Sequence, residues 1–91
     1  MFQPAPGFRI SLSAEEEWSA GRGFPGLGLQ EVVAAAFAGK AEVITEPRRI
    51  RPASNIWTML IGVSKCQAEL RVRCDSQGRW KGVLEAWATG V

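Results

Sequence analysis

Apolar and polar residues alternate without a break from 66 to 74. Cys66, Ala68, Leu70, Val72 and Cys74 fall on one parity, and Gln67, Glu69, Arg71 and Arg73 on the other. A period of two predicts a strand with one buried face. Residues 8–13 repeat the pattern, with Phe8, Ile10 and Leu12 set against Arg9, Ser11 and Ser13. The run "IWTMLIGV" (56–63) is almost wholly apolar, as expected of a central strand covered on both faces or nearly so. "AEVITE" (41–46) and "WKGVLEAW" (80–87) complete the strand candidates, and "DSQGR" (75–79) predicts a hairpin loop with Gly78 free to take a positive φ.

Between the first strand and the rest, the period changes. Leu29, Val32, Val33, Ala36 and Phe37 recur at helical spacing, predicting an amphipathic helix over 29–39 that Gly39 stops. Ahead of it, Ser13 opens "SAEE", a capping-box pattern in which Glu16 reaches back to the helix start. A short helix over 14–21 follows, with Trp18 as its inward anchor. "GRGFPGLG" (21–28) contains G-x-G-x-x-G, but a helix precedes it, Pro25 interrupts it, and a dinucleotide fold needs a strand before it and more chain. It reads as a helix–helix turn. The order β-α-α-β-β-β, with room for one more strand, predicts an α+β fold: two helices on one face of a mostly antiparallel sheet of four or five strands.

Ninety-one residues, 46% hydrophobic and 22% charged, suit one soluble domain over 1–91, with tails expected at 1–7 and 88–91. No stretch has the length and apolarity of a membrane span, and the N-terminus lacks a signal-peptide pattern. A bacterial or phage-like cytoplasmic protein without membrane contact is the expectation. On one strand Cys66 and Cys74 would stand roughly 26 Å apart, far beyond disulfide reach, so they read as small buried residues in a reducing compartment. With no histidine, a metal site has almost nothing to be built from, and no cofactor is expected.

The net charge of +2 hides a division. Residues 1–47 carry three Lys/Arg against six Glu, and residues 48–91 carry eight against three acids. The sign changes within "EPRRIRP" (46–52), which reads as a connector, because Pro47 and Pro52 would end strand pairing and Ile50 would tuck inward. Arg71 and Arg73 project from one side of their strand, about 7 Å apart. Lys81, Val83, Glu85 and Trp87 share a parity on the next strand, and one register sets Lys81 near Arg73. Arg48, Arg49 and Arg51 would border this face, and Arg79 lies beside it. Guanidinium groups hold phosphates and exposed rings stack on bases, so Trp57 and Trp87 among these arginines form a candidate RNA-binding set. The competing reading is a solvated face with Glu69 and Glu85 in cross-strand ion pairs. Trp and Arg also dominate protein interfaces. For catalysis the candidates are Arg71, Arg73, Lys81 and Glu85, a carboxylate base beside guanidinium groups that would stabilise a phosphorane-like state.

Three stretches carry a resemblance. They are the opening "FRISLS", the glycine-led "GLGLQEVVAAAF", and "IWTMLIGVSKCQAELRVRCDSQGRWKGVLEAW" with its I-G-x-S turn at 61–64. Over most of 8–87 this layout resembles the small toxins of bacterial toxin–antitoxin systems, the RelE/ParE superfamily and its BrnT branch. That branch usually has a Lys and a His near the first helix turn, where this chain has Gly21, Arg22 and Gly23, and arginines at its end, where this chain has "EAWATGV". The resemblance implies RNA cleavage by basic residues on the sheet, with Arg71, Arg73 and Lys81 nearest in position, and an antitoxin-like partner. Two further readings stand beside it: a non-catalytic inhibitor or immunity-like module that binds a protein target, and a subunit that pairs edge strands into a homodimer.

Overall fold

The computed structural model describes residues 2–89. Strand β1 (Pro4–Ile10) leads into α1 (Leu12–Glu17), a wider π-type turn at Trp18–Arg22 and α2 (Leu29–Phe37). Then follow β2 (Glu42–Arg49), β3 (Ile56–Val63), β4 (Cys66–Cys74) and β5 (Trp80–Thr89). The strands form one sheet in the order β1-β5-β4-β3-β2, antiparallel except for the β1–β5 pair. The α+β fold read from the periodicities is the observed one, with the additional strand present.

The core lies between the helices and one sheet face. Leu29, Val32, Val33 and Ala36 of α2 are buried with Met59, Ile61, Leu70, Val72, Trp80 and Val83 of the sheet. Burying each large aliphatic side chain contributes roughly 1.5–3 kcal/mol before chain entropy is charged against it. The small Ala14 and Ala36 are also buried, which lets the helices approach closely. At the end of α2, Gly39 takes φ 73 while the Lys40 amide donates to the Ala35 carbonyl at 2.9 Å, the Schellman arrangement that stops the helix. Trp18 is buried as expected, and its indole Nε1 donates to the Leu27 carbonyl at 2.7 Å, fastening the inter-helix turn.

Several boundaries differ from the sequence reading. The first helix starts at Leu12, capped by Ser11, whose carbonyl accepts from the Glu15 amide; no side-chain cap forms, and Ser13 Oγ lies 2.9 Å from Ser11 Oγ. The strand before it begins at Pro4, so residues 4–7 of the expected tail are sheet, and the Trp80 amide donates to the Gln3 carbonyl. Prolines are tolerated there because β1 is an edge strand. At the other end β5 runs on to Thr89, so 88 and 89 are strand and not tail. Met1, Gly90 and Val91 of those tails lie outside the described residues. On the opposite sheet edge β2 continues through Pro47 to Arg49, so "EPRR" is strand and only Ile50 onward is connector. Ile50 does not tuck inward; it is 42% exposed.

The parity of β5 is also corrected. The register steps from Cys74↔Trp80 to Arg73↔Gly82, and again from Val72↔Val83 to Arg71↔Glu85. Each step inserts one extra residue, Lys81 and then Leu84, and a bulge of this kind resets which face follows. Val83 is therefore fully buried, while Glu85 and Trp87 reach the opposite face.

Candidate functional site

Directly paired residues on neighbouring strands share a face, so register alone sorts the arginines. Arg48 pairs with Thr58, Thr58 with Arg71 and Arg71 with Glu85, a row running across four strands of the face that the helices leave open. Arg73 lies two residues along β4 from Arg71 on that same face, paired with Ile56 and Gly82. Arg48 and Arg71 are two strand spacings apart, roughly 10 Å, and Arg71 and Arg73 roughly 7 Å. Beside this group a cleft of about 560 Å³ is lined by Ile50, Arg51, Ala53, Ser54, Ile56 and Arg71, which brings Arg51 to the face as well.

Not all of this charge is free. Arg71 Nη1 donates to Glu85 Oε1 at 3.1 Å, and its guanidinium lies 5.4 Å from the centroid of Trp87. Arg22, from the π-type turn, stands 4.9 Å from the same ring and pairs with Glu17 at 3.0 Å. Trp87 is thus a half-buried ring flanked by two guanidinium groups and not an open stacking platform. Glu69 accepts from Thr58 Oγ1 at 2.9 Å in place of an arginine. Among the described residues no carboxylate lies within ion-pair distance of Arg48, Arg51 or Arg73. These three supply the uncompensated charge of the face.

Four candidates lie elsewhere. Arg79 belongs to its own hairpin, where its Nε donates to Asp75 Oδ2 at 2.8 Å. The amides of Gln77 and Arg79 donate to Asp75 Oδ1, each at 2.9 Å. Desolvation opposes the carboxylate charge, but these donors and the Arg79 cation prevail and hold Asp75 below its ordinary value. Arg49 and Trp57 pair with each other and fall on the helix side of the sheet, since Trp57 also pairs with the buried Val72. Lys81 sits in the first bulge of β5 instead of beside Arg73, and it lines a second cleft with Arg49 and Trp57.

Burial raises both thiols, and for Cys74 the neighbouring Asp75 carboxylate adds to the effect. Both cysteines are free and buried, the opposite of what a nucleophile needs. Thus Arg48, Arg51, Arg71, Arg73, Glu85 and Trp87 come together, and Arg49, Trp57, Lys81 and Arg79 do not join them. Arg22 is the functional neighbour that sequence reasoning missed, because its approach to Trp87 depends on the break at Gly21 (φ 130, ψ −10). Compared with known proteins, the chain matches no family model, no curated protein and no solved structure.

Proposed function

We propose that the chain is a small toxin-like domain that binds single-stranded RNA through the open face of its sheet, and that it holds RNA without cutting it. The observation that carries the reading is the group Arg48, Arg51 and Arg73, unpaired among the described residues and gathered on one sheet face around Arg71. Arginine grips phosphate through a planar fork of donors, and a flat sheet presents such forks to a strand laid across it. Cleavage is less well supported. The chain has no histidine, and the carboxylate nearest the cluster, Glu85, is held by Arg71. The free thiols support a reducing, cytoplasmic setting.

The test is fluorescence anisotropy with a labelled oligouridylate across a salt series. The triple variant R48A/R51A/R73A should lose most of the affinity, and the slope of log K against log salt should become shallower by about 2, since each phosphate on a single strand contributes about 0.7. Binding that ignores the triple variant, or no binding at low salt, would reject the reading. RNA that is cut during the incubation would replace it with the ribonuclease. Recovery of a protein partner dependent on Trp87, with no RNA affinity, would replace it with the inhibitor-like module.

A further inference from the structure

The tip of the β2–β3 hairpin separates two basic clefts. Arg48 and Arg49 are adjacent on an edge strand, so one points to each side of the sheet. The open-face cleft holds Arg51 and Arg71. The second, of about 650 Å³, is lined by Arg49, Asn55, Trp57 and Lys81 together with the Asp75 turn. Ala53 and Ser54 line both clefts, so the small side chains of the tip are the wall the two share.

The second cleft is built. Arg49 Nη1 donates to the Pro52 carbonyl at 3.0 Å, and its guanidinium stands 5.2 Å from the Trp57 centroid, so the group is pinned beside a half-buried ring. A guanidinium has five N–H donors, and one is used here. Lys81 is exposed because it is the extra residue of a bulge, a device that re-aims a side chain. The one carboxylate lining the cleft, Asp75, has both oxygens engaged by Gln77 and Arg79. Neither Arg49 nor Lys81 has a carboxylate within ion-pair distance among the described residues. Two cations without a carboxylate partner suit the phosphates of a nucleotide, and the Arg49 guanidinium, which already covers the Trp57 ring, offers its outer plane to a base.

We propose that a strand bound on the open face turns around the hairpin tip and seats a further nucleotide between Arg49, Trp57 and Lys81 on the helix side. This inference rests on the RNA-binding reading above and extends its footprint. Binding is measured with oligouridylates of about four and about twelve nucleotides, both within the range of single-domain site sizes. In R49A/K81A the long oligomer should weaken on the order of tenfold and its salt slope should become shallower by about 1.4, with the short oligomer unchanged. K81A alone leaves the Arg49–Pro52 clamp intact and should shift the slope by about 0.7. The melting temperature of K81A should match the wild type. Wild-type affinity and slope for the long oligomer in R49A/K81A and K81A would overturn the inference while the open-face reading stands. Equal losses for long and short oligomers would also overturn it. If the wild type binds neither oligomer, both readings fall together.

Discussion

Gly23 is glycine because of what lies next to it and not because of its backbone, whose φ of −93 suits any residue. A Cβ built on it would be driven into Cδ1, Cδ2 and Cε2 of Trp18. That indole is held from the other side of the turn by its bond to the Leu27 carbonyl, so it cannot simply swing away. Gly23→Ala must therefore displace the ring or the turn, an overpacking cost of about 1–3 kcal/mol. The melting temperature should fall on the order of 10 °C for a domain of this size. The near-UV circular dichroism of the indole should change with it. A G23A protein that melts with the wild type would show that Trp18 is not fixed in this way.

At the level of the element, the β4–β5 hairpin is closed by one side chain. Asp75 accepts from two amides and a guanidinium across "DSQGR", and the Gly78 amide donates to its carbonyl at 3.1 Å. Its proton affinity is depressed in the fold, so its contribution is fully present above the unfolded value of ~3.9 and fades as pH falls through the lower folded one. Asp75→Asn should accordingly melt below the wild type at neutral pH. The gap should close as the solution is acidified below about 4. A gap that persists unchanged into acid would mean that the charge is not what closes the turn. This hairpin was legible in the sequence, and so were the bounds of β3 and β4, because their pairing runs Ile56↔Arg73 to Val63↔Cys66 without a shift. Unbroken alternation then maps directly onto faces. In β5 and β2 the same rule misplaces residues. The bulges at Lys81 and Leu84 leave no hydrophobic trace, and those in β2 around Ile44 and 46–47 decide which of Arg48 and Arg49 takes the open face. The Arg71–Arg73 half of the candidate site could therefore be read from spacing, whereas Arg48 and Lys81 needed the register and Arg22 the break at Gly21.

Taken whole, the molecule turns a division along the chain into a division in space. The helical layer carries Glu15, Glu16, Glu17 and Glu31, while the open face and hairpin tip carry Arg48, Arg51, Arg71 and Arg73. Such a separation orients the molecule toward a polyanion before contact. It also leaves the joint between the two layers apolar, and β4, the middle strand of five, spans that joint with Cys66 at one end and Cys74 at the other. Both thiols face the helices and are buried, so alkylation requires the layers to part. If the domain opens as one unit, iodoacetamide should label the two at rates with the same steep dependence on urea, because both report the same opening. Cleavage after Lys65, Arg71, Arg73 and Arg79 places the cysteines on separate peptides, so mass spectrometry resolves each rate in a single sample. Cys74 adjoins the hairpin tip, since its amide donates to the Asn55 carbonyl at 2.9 Å. Were the tip to open by itself, Cys74 would label early with a shallow urea dependence while Cys66 stayed protected. That outcome would divide the domain into a stable body and a separately mobile rim, and it would place the arginines of the tip on the mobile part.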